Sequence, residues 1–231
     1  MTVLVLPSSL GTTSALWETT AGHWDGLRLL PYDQRGLESV EELGEDLLRL
    51  LDEHDVERAC ICGLSLGGAT ALWVGANAAE RVDRLVLACT SARFGDPEQW
   101  RERAATVREE GLEAIADSVV ARWFTAAAPA KLVERFRQML VATPREDYAA
   151  CCEALARWDF RGRLGEIRAP TLVIGAVEDS ATPPPHAELL ASGIPGARLE
   201  ILEGAAHLAN VEQPAAFAEL VSAHLAPAVV R

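Results

Sequence analysis

The sequence predicts an α/β architecture: a mostly parallel sheet flanked by helices, with an all-helical cap inserted between two of its strands. Three observations predict it. Short β-branched or leucine-rich runs, each bounded by turn residues, recur at residues 2–6, 27–32, 59–63, 85–89, 171–176 and 198–202. Such near-continuous apolar runs suit strands buried on both faces, as in a parallel sheet. Helical patterns at 38–54, 66–79, 184–191 and 214–225 alternate with these runs, and strand–helix alternation marks an open α/β sheet whose ligands bind beyond the carboxyl ends of the strands. The alternation stops between residues 91 and 168. There Leu112, Ile115, Val119 and Trp123 form one stripe at helical spacing, and Leu132, Val133, Phe136 and Leu140 form another. Pro97, Pro129 and Pro144 suit first-turn positions, where a missing N–H costs nothing. The expected division is a core of residues 1–92 and 168–231 with a helical cap of residues 93–167.

Composition narrows the function classes. The formal net charge of −13 argues against nucleic acid or an anionic membrane surface as a partner, because both would be repelled. It also sets a condition: an anionic substrate would require a local cation held against an unfavourable global field. The five cysteines have no metal-ligand spacing and read as small buried hydrophobes in a reducing compartment. No segment is apolar for long enough to cross a bilayer, and residues 1–6 lack the basic start and length of a signal peptide. A cytoplasmic protein is therefore expected.

The chemistry is carried by Gly63-Leu64-Ser65-Leu66-Gly67, which follows a predicted strand and opens a predicted helix. In that context G-x-S-x-G is a nucleophile elbow, with the serine on a strained turn and glycines letting strand and helix pass closely. A serine hydroxyl needs a base, and the base needs an orienting acid. His207 follows the last predicted strand in the small-residue loop Gly204-Ala205-Ala206-His207-Leu208, whereas His23, His54, His186 and His224 fall in or beside helices, where solvated or capping roles are the default. Asp179 sits at the carboxyl end of the strand at 171–176, with Glu178 as the rival acid next door. The chain order Ser65, Asp179, His207 is that of the α/β-hydrolases. The backbone N–H of Leu66 is one expected oxyanion donor. The N–H of Leu10, in Pro7-Ser8-Ser9-Leu10-Gly11, is the other.

Beyond the triad, Ser9-Leu10-Gly11-Thr12-Thr13, Tyr32-Asp33-Gln34-Arg35-Gly36, Cys62-Gly63-Leu64-Ser65-Leu66-Gly67-Gly68 and Ala206-His207-Leu208-Ala209-Asn210-Val211-Glu212-Gln213-Pro214 together resemble the 3-oxoadipate enol-lactonases, within the α/β-hydrolase superfamily. Ala121-Arg122-Trp123-Phe124-Thr125 in the cap supports the narrower family. The resemblance implies hydrolysis of a small carboxylated enol-lactone to 3-oxoadipate, in bacterial catabolism of aromatic compounds, with neither metal nor organic cofactor. It also implies that Arg122 and Trp123 face the substrate. A placed guanidinium is what an anionic lactone would require in so acidic a chain, because arginine binds carboxylate bidentately. Helix geometry alone would instead put Trp123 in the core and Arg122 on a solvated face.

Two departures from the family pattern stand out. The chain opens directly on the strand at 2–6, where two earlier strands are usual. Gln34-Arg35-Gly36 runs straight into Leu37-Glu38-Ser39, where the family continues His-Gly-x-Ser and a proline-rich loop. Loss of that loop would remove one wall of the pocket. Two other readings stay open at this level: a different serine hydrolase (carboxylesterase, carbon–carbon bond hydrolase or cofactor-free perhydrolase), and a non-catalytic protein of the same fold that binds a small ligand.

Overall fold

The computed structural model describes residues 1–34 and 36–226; Arg35 of the Tyr-Asp-Gln-Arg-Gly motif and residues 227–231 of the expected core lie outside the described residues. Six strands form one sheet: β1 (Val3–Pro7), β2 (Arg28–Tyr32), β3 (Ala59–Leu64), β4 (Val82–Ala88), β5 (Thr171–Ala176) and β6 (Arg198–Leu202). Their order is β2-β1-β3-β4-β5-β6, and every pairing is parallel. Of the four central strands, β3 and β5 are buried at all six of their positions. The edge strands β2 and β6 are only partly covered. β4 begins three residues earlier than its apolar run, because Val82, Asp83 and Arg84 extend the pairing with β3.

The helices are α1 (Glu18–Ala21), α2 (Val40–Glu53), α3 (Leu66–Asn77), α4 (Pro97–Glu110), α5 (Glu113–Val120), α6 (Ala130–Val141), α7 (Arg145–Arg157), α8 (Pro184–Gly193), α9 (Ala209–Glu212) and α10 (Pro214–Leu225). α2 is amphipathic: Val40, Leu43, Gly44, Leu47 and Leu51 face the core, and Ser39 caps its start by accepting from the Glu42 N–H. α3 is apolar all round and is buried almost along its whole length. That composition fits a helix enclosed by sheet and neighbours rather than one lying on the surface.

Between β4 and β5 the chain forms only helices, α4 to α7, with one 3-10 segment (Arg161–Glu166) before β5. Asp96 caps α4 and Pro97 occupies its first turn, as expected. Pro129 and Pro144 instead sit one residue earlier, as the N-cap residues of α6 and α7. Their extended backbone angles, with ψ near 130°, explain the difference, since a helical ψ begins only at the following residue. α5 ends at Val120, so Trp123 lies in a turn beyond the helix rather than on the stripe that carries Leu112 and Val119.

Candidate active site

Ser65 stands between β3 and α3 with φ 58° and ψ −115°, a region that non-glycine residues rarely adopt. Several contacts impose it. The Ser65 N–H donates to Ala88 O at 3.0 Å, continuing the sheet, while its carbonyl accepts from Gly68 and Ala69 N–H at the start of α3. The buried Thr90 hydroxyl donates to the same carbonyl at 2.6 Å. The flanking glycines make the turn possible. A Cβ on Gly63 would overlap the Gly67 carbonyl, and one on Gly67 would overlap the Pro7 carbonyl of β1. Both obstacles are backbone, so neither can move aside.

Asp179 and His207 meet at the carboxyl ends of β5 and β6. Asp179 Oδ2 lies 2.9 Å from His207 Nδ1, and both side chains are buried. Asp179 Oδ1 accepts from the N–H groups of Ala181 (2.8 Å) and Thr182 (2.9 Å), and Oδ2 accepts from the Thr182 hydroxyl at 2.7 Å. Burial by itself would raise this carboxyl. The adjacent imidazole and the Thr182 donors outweigh it and hold Asp179 at about 2. Glu178, the rival acid, is exposed, and its N–H donates to Ala205 O. Cys89, at φ 42° just after β4, also lies beside Asp179; burial, reinforced by that carboxylate, pushes its thiol well above the ordinary value. All five cysteines are buried, as their apolar contexts suggest.

Two other histidines have different partners. His186 Nδ1 is 2.6 Å from the Ser91 hydroxyl. His224 is buried in α10 with Nε2 3.2 Å from Pro170 O, so the solvated role expected for it gives way to a core hydrogen bond.

Ser65 and His207 line one cavity of about 470 Å³, together with Ser9, Leu10, Thr182 and residues of the helical segment. Leu66 is the first residue of α3, where an N–H has no carbonyl partner within the helix. Leu10 is buried in the loop after β1, and that loop is braced by the Gln34 side-chain amide, which donates to Ser8 O. Among the described residues, none between 11 and 64 lines the cavity. Gly36 lies against α7, where a Cβ on it would overlap Asp147, and Tyr148 and Leu155 of α7 line the cavity.

Arg122 and Trp123 both line this cavity. Trp123 is also buried, so it is at once a core residue and a cavity wall. Arg122 is half-buried, and its guanidinium donates to Ser180 O at 3.3 Å, beside Asp179. Burial lowers the proton affinity of Arg122, and the nearby charge of Arg103 lowers it further. The residues that follow are tied to the histidine loop. Glu212 accepts from the Thr125 N–H (2.9 Å) and hydroxyl (2.7 Å) and from the Ala206 N–H (2.8 Å), and the Leu208 N–H donates to Trp123 O at 3.0 Å.

Sequence reasoning missed Thr182, Thr90, Glu212, Arg103 and Tyr148. Only Glu212 lay within a noted motif, five residues after His207. Thr182 acts only three residues after Asp179, and the others depend on contacts between distant segments, which no local pattern encodes.

A strained serine between strand and helix and a buried Asp–His pair at neighbouring strand ends are features of one class, and the family comparison agrees: residues 3–220 match the alpha/beta hydrolase family, to which the chain belongs. Within it, the chain is 36% identical over 234 residues to 3-oxoadipate enol-lactonase 2 of Acinetobacter baylyi, an alignment covering 95% of this chain and 87% of that protein. The solved enol-lactonase of Burkholderia xenovorans LB400 is 38% identical with a TM-score of 0.93, covering 97% of this chain and 91% of that one. A thermophilic esterase of Thermogutta terrifontis, solved with malate bound, is 26% identical with a TM-score of 0.92, covering 97% and 89%. The chain is accordingly a hydrolase of the enol-lactonase type. Among the described residues, no helix is long and apolar enough to cross a membrane.

Proposed function

We propose that this hydrolase opens a small carboxylated enol-lactone, of the kind that yields 3-oxoadipate, through an acyl-enzyme on Ser65. The observation that carries the reading is the meeting of strained Ser65, His207 and Arg122 around one cavity, in a chain about 36% identical to enol-lactonases. The helical segment of residues 93–167 acts as the cap, and Trp123 forms an apolar wall for the ring. The substrate is a small anion taken up without nucleic acid or membrane, and the setting is catabolism of aromatic compounds in the cytoplasm.

The reaction runs as follows. Arg122 holds the substrate carboxylate while Ser65 Oγ attacks the lactone carbonyl and His207 takes the hydroxyl proton. Asp179, fully ionised, fixes the imidazole and stabilises its charged form. The N–H groups of Leu10 and Leu66 receive the oxyanion. The ring C–O bond then breaks, His207 returns its proton to the departing enol oxygen, and the enol becomes the ketone. Water, deprotonated by His207, attacks the acyl-enzyme and releases the second carboxylate with Ser65 restored.

The test is hydrolysis of the carboxylated lactone by wild type, Ser65→Ala and Arg122→Ala. Ser65→Ala is expected to lower kcat by about 10⁴-fold or more and to abolish labelling by a fluorophosphonate. Arg122→Ala is expected to raise KM by roughly 10- to 100-fold, the range for a charge-assisted hydrogen bond. Full turnover in Ser65→Ala would refute the mechanism. Faster turnover of neutral p-nitrophenyl esters than of the lactone would favour a carboxylesterase, the reading to which the similarity with the thermophilic esterase points.

A further inference from the structure

Arg122 is not the only guanidinium at the cavity. Arg103, on α4, lines it as well. Its place is built rather than incidental. The guanidinium carbon lies 4.6 Å from the centre of the Trp100 ring, a cation–π distance, with the two residues three apart on one face of the helix. Trp100 is itself fixed: its indole N–H donates to Phe94 O at 2.6 Å, and the Phe94 ring meets it edge-on with centres 6.5 Å apart. Phe94 and Trp100 line the same cavity. Tyr148, buried on α7, feels the charges of both Arg103 and Arg122.

Many arginines of this chain pair with carboxylates, as Arg58 does with Asp83, Arg108 with Glu146 and Glu153, and Arg161 with Asp159. Neither Arg103 nor Arg122 is in an ion pair among the described residues. The charge of Arg103 disfavours that of Arg122, and the nearby carboxylate of Asp179 is already engaged by His207 and Thr182. Two guanidinium groups at one cavity, neither in an ion pair among the described residues, favour an anion between them. Trp100 lies against the Arg103 guanidinium and Tyr148 shares a hydrogen bond with it, and the planar fork carries further N–H donors of the kind with which arginine binds a carboxylate.

We propose that Arg103, braced on Trp100, is a second specificity-determining residue, binding the substrate carboxylate jointly with Arg122 and selecting anionic over neutral esters and lactones. The proposal rests on the lactonase reading for the identity of the substrate. A purely structural role for Arg103 predicts something different, namely equal losses on charged and neutral substrates.

The deciding experiment compares kcat/KM for the carboxylated enol-lactone and for its methyl ester in the full chain. Wild type is expected to prefer the acid. Arg103→Met is expected to lower the acid-to-ester ratio by about 10- to 100-fold, mainly through KM for the acid. Arg103→Lys, which keeps the charge and loses the fork, should recover part of the ratio. Trp100→Leu should lower it about 3-fold by releasing the brace. If Arg103→Met does not fold, Arg103→Lys and Trp100→Leu decide through the same ratio, and a wild-type ratio in both overturns the proposal. An unchanged ratio in folded Arg103→Met, or equal losses on both substrates, overturns it too while leaving the lactonase reading intact. A wild type without preference for the acid overturns both.

Discussion

The strand ends and the helical segment reach the same cavity by different means. On the sheet side, Ser65, Asp179 and His207 are positioned chiefly by backbone: the Ala88 carbonyl, the N–H groups of Ala181 and Thr182, and the parallel register that brings β5 and β6 side by side. On the helical side, Arg103 is positioned by an aromatic brace, Trp100 against Phe94, while Arg122 reaches only one backbone carbonyl, that of Ser180. Backbone hydrogen bonds tolerate many side-chain changes, whereas aromatic braces do not. On the proposed reading, the bond-breaking apparatus is fixed by the fold itself, and selectivity rests on a handful of replaceable residues.

The largest expected effect breaks the sheet side. Asp179→Asn should lower kcat by about 10⁴-fold with little change in KM for the lactone, because the imidazole loses its orienting and stabilising carboxylate. Steady-state kinetics on the lactone checks this, and a change confined to KM would contradict the assignment of Asp179. A smaller effect tests the joint between the two regions. Glu212→Ala leaves the Thr125 N–H and hydroxyl and the Ala206 N–H without their acceptor, and should destabilise the protein by about 2–4 kcal/mol in denaturant unfolding. Glu212→Gln keeps one acceptor oxygen and should fall between the two.

The smallest effect sharpens the sheet side alone and appears in acid. Asp179 is depressed from its usual value of 3.8 to about 2. Its stabilisation is therefore complete above the unfolded value near 4, and it is lost as the pH falls from there towards 2. Thr182→Val removes the hydroxyl donor to Oδ2, so the carboxyl should titrate higher and the acid-unfolding midpoint should move up by a few tenths of a pH unit. Circular dichroism across pH 5 to 1.5 measures it, and an unmoved midpoint would show that Thr182 contributes nothing to the carboxylate.

Much of this was legible in the sequence where local chemistry dictates local structure. The apolar runs at 171–176 and 198–202 coincide with β5 and β6, and Pro214 opens α10 where a proline belongs. The G-x-S-x-G run carries its own geometry, since the glycines answer to neighbours one turn away and to the adjoining strand. The prolines at 129 and 144 misled by one residue because a proline's fixed φ suits the cap as well as the first turn. Trp123 looked like a continuation of a helical stripe, since periodicity cannot register that α5 stops at Val120.

The sequence by itself determined the parallel α/β architecture, the strained turn at Ser65 and the order Ser65, Asp179, His207, because apolar periodicity and small residues act over a few positions. Only the tertiary structure decided what surrounds them. Thr90 on the Ser65 carbonyl, Glu212 between the histidine loop and Thr125, and Arg103 beside Arg122 are pairings of groups that become neighbours only when strands and helices pack. Such contacts depend on distances across the fold, and those distances are set by the packing of the whole core rather than by any run of residues.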